Sequence, residues 1–218
     1  MLTGNEKCGF WVKWTFQHTW AIPVSYVASL IIILIFSALF GTSMNEYGTK
    51  AEQMFMQIAG SVVLGLGVGL LQRSMLRHIS NIRGFWLWSV IAGFVVAEII
   101  AAIVCWRLDL DRMQLRFIEL NALPESAIFA LAGLIIGIIQ WFRLKKQFTG
   151  SLFWILASAI GWAICIIVME YPQLFDSINK SSFSILADIL VFAFGSTLYG
   201  AVTGAVLMWV MHRRVVKE

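Results

Sequence analysis

Long apolar runs are what most constrain this chain. Six of them lie at 20–40, 54–76, 84–106, 126–144, 152–169 and 183–211. Each is about the length a helix needs to cross roughly 30 Å of hydrocarbon. Lipid offers no partner to a backbone N–H or C=O, so a segment that crosses it must bond internally, and a helix does so. The first run extends back toward Phe10, with Pro23 as a kink or a helix start. Charged residues make up 13% of the 218, too few to clothe a soluble domain of this size. The expected fold is an all-α integral membrane protein, one transmembrane domain over 1–218, with six transmembrane helices. Lys7 and Lys13 precede an apolar run too long for a signal-peptide core, so that run reads as the first span.

Orientation follows from Lys and Arg. With six spans, one side carries 11 of the 16, from Lys7, Lys13, Arg73 and Arg77 through Lys145 and Lys146 to Lys217. The other side carries five of them and eight of the twelve acids. Basic loops stay in the cytoplasm, so both termini are expected there, in a bacterial inner or thylakoid membrane. The net charge of +4 reports that face and the anionic lipid it meets; nothing in the chain suggests nucleic-acid binding. Trp11, Trp14, Trp20, Trp86, Trp88, Trp141, Trp154 and Trp209 cluster toward the same face. They read as an interfacial anchoring belt, or as a docking surface for a partner, pigment or lipid headgroup. Between the third and fourth spans, Leu110, Met113, Phe117 and Leu120 recur at helical spacing among charges. That pattern reads as an amphipathic segment over 107–122 lying on the membrane, or meeting an external partner.

The chain also repeats itself. Gly65-x-x-x-Gly69-x-x-Gln72 is followed by a basic turn, then Phe85-Trp86, then Gly93. Gly133-x-x-x-Gly137-x-x-Gln140 is followed by a basic turn, Phe153-Trp154 and Gly161. Gln to Trp is 14 residues in both, and Trp to Gly is 7. Helix 6 carries a third first half, Gly200-x-x-x-Gly204, whose partner is missing downstream. Helix 1, with Trp14 or Trp20, stands in for it. Three pseudo-repeated helical hairpins follow, one split between the termini, with helix 6 beside helix 1. The stripes Ser61–Gly65–Gly69–Gln72, Gly133–Gly137–Gln140 and Ser196–Gly200–Gly204 each occupy one helical face. In lipid, small residues let backbones approach and polar ones bond across the contact, so these ten are read as helix-packing positions.

Two acids fall inside spans, Glu98 and Asp188. A charge in mid-span costs about 2.5–3.5 kcal/mol or more, so such groups face a bundle interior or a wet cavity. They are candidates for a proton, ion or ligand contact, against a structural reading as hydrogen-bonded acids near the interface. Gln57, Ser184, Ser196 and Tyr199 are their nearest polar candidates if helices 2, 3 and 6 converge. His18 is a weak candidate to ligate a pigment. His78 and His212 belong with the basic turns. Cys8, Cys105 and Cys165 have no metal or disulfide spacing and read as small buried hydrophobes. No metalloprotease, serine-hydrolase, phosphate-loop or dinucleotide motif occurs, so neither a catalytic residue nor a metal site is expected.

The repeated GxxxGxxQ unit, its basic turn and the aromatic-Trp pair resemble small multi-span membrane proteins of cyanobacteria and related bacteria whose activity is uncharacterised. The likeness covers roughly residues 60 to 214. Gln140-Trp141 keeps that group's usual pair, whereas Arg73 follows Gln72 and helix 6 has Leu207-Met208. The resemblance implies a photosynthetic or other bioenergetic membrane, with chlorophyll or carotenoid as conceivable cofactors beside lipid, and transfers no catalytic residue. Two functions fit the sequence. One is a non-catalytic accessory subunit or assembly factor meeting a membrane-protein partner or its own copies. The other is a small-solute or ion transporter, or its membrane substrate-binding component, using Glu98 and Asp188.

Overall fold

The computed structural model describes residues 4–40, 50–76, 83–107, 122–170 and 184–213. They form six helices: α1 (Gly4–Phe40), α2 (Lys50–Leu76), α3 (Arg83–Arg107), α4 (Ala122–Leu144), α5 (Phe153–Glu170) and α6 (Ser184–His212). Five are long and apolar enough to cross a membrane; the apolar part of α5, Phe153–Met169, is shorter. At 1.5 Å per residue the 18 residues of α5 still extend about 27 Å. The expected amphipathic segment over 107–122 falls mostly on 108–121, outside the described residues.

Three of the helices start well before their apolar runs. α1 runs unbroken from Gly4, so Pro23 lies inside it and is not its start. A membrane helix tolerates the lost backbone bond because neighbouring groups take up the freed carbonyl. α2 and α4 each begin four residues before their apolar runs, at Lys50 and Ala122. Polar residues lengthen a helix beyond the hydrocarbon at no cost to its backbone bonding.

Each helix packs against its neighbours in sequence, and α6 packs against α1, so the six close into a ring. This is the adjacency a split hairpin requires. The ring is filled. Phe94 on α3 meets Trp162 on α5 with centroids 4.9 Å apart, and Trp162 meets Tyr199 on α6 at 4.6 Å. Trp86 on α3 meets Trp154 on α5 at 5.7 Å. The outward faces carry Val24, Leu70, Leu156, Phe194 and many other exposed apolar side chains, the distribution a lipid solvent selects.

Glycines set how closely the helices approach. A Cβ on Gly69 would lie 3.3 Å from the Cα of Leu87, and one on Gly137 would lie 2.7 Å from that of Ile155. Both partners are the residue after the hairpin tryptophan. A Cβ on Gly65 would lie 2.8 Å from the Cα of Ile91, and one on Gly133 would lie 2.9 Å from that of Ala159. Both of these are five residues after that tryptophan. On the α6–α1 side the register differs from the sequence expectation. Gly200 was matched with Gly65, yet it meets the Cα of Thr15 at 2.9 Å, the residue after Trp14. It therefore stands where Gly69 and Gly137 stand, one helical turn from its expected place. Ser196 falls where Gly65 and Gly133 stand, and Gly204 packs on the indoles of Trp14 and Trp11.

The connector from α4 to α5 is fastened to α6. The Thr149 backbone N–H and hydroxyl both donate to the Arg213 carbonyl, at 2.8 and 3.0 Å. Gly150, at φ +75°, lies against the Trp209 ring, and Phe148 and Ser151 are buried. Only glycine adopts that backbone conformation without strain.

Candidate functional site

The helix ends that carry the basic turns hold a buried polar belt. Three tryptophans supply its indole donors. Trp86 Nε1–H donates to Gln72 Oε1 at 2.8 Å, and Trp154 Nε1–H donates to Gln140 Oε1 at 2.7 Å. Trp14 Nε1–H donates to Thr203 Oγ1 at 3.1 Å. Thr203 follows Gly200 by three residues, as Gln72 follows Gly69 and Gln140 follows Gly137, so the one-turn register shift accounts for its place. A buried indole N–H without an acceptor costs about 1–3 kcal/mol, and each tryptophan here has one.

The glutamine amides carry the belt onward. Gln140 Nε2 donates to Ser89 Oγ at 2.9 Å, and Ser89 donates to the Trp86 carbonyl at 2.6 Å. Gln72 Nε2 donates to the Tyr199 hydroxyl at 3.2 Å and lies 3.2 Å from His18 Nε2. His18 Nδ1 lies 2.7 Å from the Trp14 carbonyl, which accepts only if Nδ1 carries the proton. His18 Nε2 is then the acceptor for Gln72. Thr203 donates to the Tyr199 carbonyl at 2.7 Å. The bonds run from α5 through α4, α3, α2 and α1 to α6, passing through the three tryptophan residues.

The belt stops between α6 and α5. Threonine lacks the second polar arm of glutamine, and among the described residues Ser158 Oγ and Trp162 Nε1 on α5 are buried without a hydrogen-bond partner. The bonds of the connector residue Thr149 to Arg213 lie on this same α5–α6 side, at the end of α6.

Two packing candidates, Gln72 and Gln140, lie in the belt, and the others line the helix contacts. Gln72 and Gln140 are 1% and 0% exposed, and Ser61 and Ser196 are buried beside the glycines. The expected tryptophan belt divides in two. Trp14, Trp86 and Trp154 are not interfacial anchors but interior donors, whereas Trp20, Trp88 and Trp209 are exposed. His18 does not sit at a helix end facing lipid. It is fully buried, and protein groups occupy both ring nitrogens. Cys165 is buried as expected, but Cys8 is exposed.

The acids lie apart from the belt. Glu98 is 9% exposed, twelve residues along α3 from Trp86, or about 18 Å. Tyr199, expected near it, bonds Gln72 because α6 packs between α5 and α1. Asp188 lies on α6, and its side chain is outside the described residues. Among the described residues, no group of three His, Cys, Asp or Glu is placed to hold a metal ion.

Sequence reasoning missed Thr203, Ser89 and the interior role of the tryptophans. The shared 14-residue spacing from glutamine to tryptophan was the available signal: across a short turn it brings two positions level on facing helices. Fold and belt together define an all-helical protein of membrane-spanning composition, closed into a filled ring. No protein-family model matches the chain, and no curated protein or solved structure matches it either.

Proposed function

We propose that the chain is a six-span membrane protein of three like hairpins, the third split between α6 and α1, with both termini cytoplasmic. It serves as a non-catalytic accessory subunit or assembly factor of a larger membrane complex. The observation that carries this reading is the filled axis. Phe94, Trp86, Trp154, Trp162 and Tyr199 meet across the ring, and the polar groups at its basic end bond one another. A transporter needs an interior that opens, whereas this interior favours one rigid shape. The apolar outer face remains for lipid and a partner's helices. The hairpin reading is supported by the matching Gln–Trp bonds and by the glycine contacts at Trp+1 and Trp+5. The basic charge at the belt end supports the orientation. A photosynthetic or bioenergetic setting rests on the family resemblance alone.

Extraction of the tagged protein from its native membrane in mild detergent tests this reading. Native size, co-purifying proteins and the absorption spectrum are the readouts. Migration with a stoichiometric larger complex is expected. A lone, colourless 24.5 kDa species or a small homo-oligomer would contradict it. One observation favours transport as a second reading: Glu98 is buried within a span. Glu98→Gln and Asp188→Asn variants that assemble normally but lose all activity would support transport over the subunit role.

A further inference from the structure

We propose that the α5–α6 seam at the basic end binds the headgroup of an anionic phospholipid, with Arg213 as its principal contact. The Arg213 guanidinium stacks on the Trp209 ring at 4.0 Å, and Phe153 meets Trp209 edge-on with centroids 5.2 Å apart. Stacking uses the face of the guanidinium. Arg213 is exposed, and the in-plane N–H donors of a guanidinium form the fork that fits two phosphate oxygens. The support is rigid, because Thr149 bonds the Arg213 carbonyl and Gly150 packs on the same indole.

Charge and apolar surface both complete a lipid site. Lys145 and Lys146 add positive charge on the exposed connector, where the Lys145 ammonium lies over the Trp141 and Phe142 rings at 4.3 and 4.4 Å. Among the described residues, Glu6 is the only acid at this end of the bundle. Below the cluster, α5 presents Phe153 and Leu156, more than half exposed, where acyl chains would lie. A free phosphate would use the cations alone, whereas a phospholipid uses the cations, the aromatic pair and the apolar stripe together. The inference rests on the membrane reading and its orientation, and it holds whether or not a partner complex exists.

The test is lipid retention by the full-length protein. The protein is exchanged into mild detergent containing equal phosphatidylglycerol and phosphatidylcholine, and bound lipid is counted by native mass spectrometry. Wild type should retain phosphatidylglycerol preferentially. R213Q should lose about fivefold of that preference, and a K145Q/K146Q/R213Q variant should bring it near parity, at about fivefold per charge removed. R213K, which keeps the charge but not the fork, should fall between wild type and R213Q. K13Q, a basic residue on α1, should change nothing. Unchanged helicity and elution volume show that each variant is folded. Equal retention of both lipids by wild type would overturn the proposal, as would an undiminished preference in the triple variant. Displacement of the lipid by millimolar inorganic phosphate would assign the site to a free anion instead.

Discussion

Gln72 and Gln140 occupy matching positions but carry different loads. Gln140 joins α4 to α5 and α3, whereas Gln72 joins α2 to α3, α1 and α6. Replacing either with leucine leaves a buried indole N–H without its acceptor, at a cost of about 1–3 kcal/mol. Q72L should destabilise more than Q140L in thermal unfolding in micelles, because it also frees the Tyr199 hydroxyl and His18 Nε2. Equal losses would mean that the contacts to α1 and α6 contribute little. Adding W154F to Q140L should cost less than W154F alone, since the donor and acceptor share one bond. The glutamines were legible from their spacing after the glycines. Thr203 was not, because the pair Gly200/Gly204 imitates Gly65/Gly69 so closely that sequence selects the wrong register. Only the backbone contact to Thr15 separates the two. His18 was misplaced for a related reason: α1 begins sixteen residues earlier than its strongest apolar run, so a residue near that run's edge lies well inside the helix.

At the scale of elements, glycine governs the hairpins. A methyl group at Gly137 would lie 2.7 Å from the Ile155 Cα, and one at Gly65 would lie 2.8 Å from the Ile91 Cα. Backbone cannot yield as a side-chain tip can. Gly137→Ala and Gly65→Ala should therefore each cost about 1–3 kcal/mol by overpacking, although alanine returns about 0.5–1 kcal/mol of helix propensity. Gly9→Ala meets nothing within 4 Å and should be neutral or mildly stabilising in the same unfolding assay. A loss at Gly9 equal to that at Gly137 would show that the effect is not one of helix approach. The six helices were legible because lipid demands long apolar runs. Their true starts were not, since Lys50, Ala122 and Gly4 precede the apolar runs, where periodicity and apolarity both fade.

Across the whole molecule, the first and last helices pack side by side and close the ring. Trp11 Nε1–H donates to the Ala201 carbonyl at 3.0 Å, so the start of α1 and the second half of α6 lie side by side. A circular permutant joining the present termini and opening at 77–82 should therefore fold and unfold near the wild-type temperature. A permutant that fails to insert would show that the α2–α3 turn is essential to the fold. Sequence pointed to the ring through its missing half-repeat. It could not reveal that the ring is filled, since which aromatic side chains cross the axis depends on helix rotation.

Closure of α1 on α6 is the claim on which the ring and the split hairpin both depend. The Thr19 and Thr197 hydroxyls lie 2.8 Å apart across that contact. Cysteines placed at both positions, with Cys8, Cys105 and Cys165 replaced, should form an intramolecular disulfide on mild oxidation in native membranes. The cross-linked chain should migrate as a monomer with a reduction-sensitive shift. No cross-link, or only cross-links between chains, would mean that α1 and α6 do not meet within one molecule, and the closed ring would fall with them.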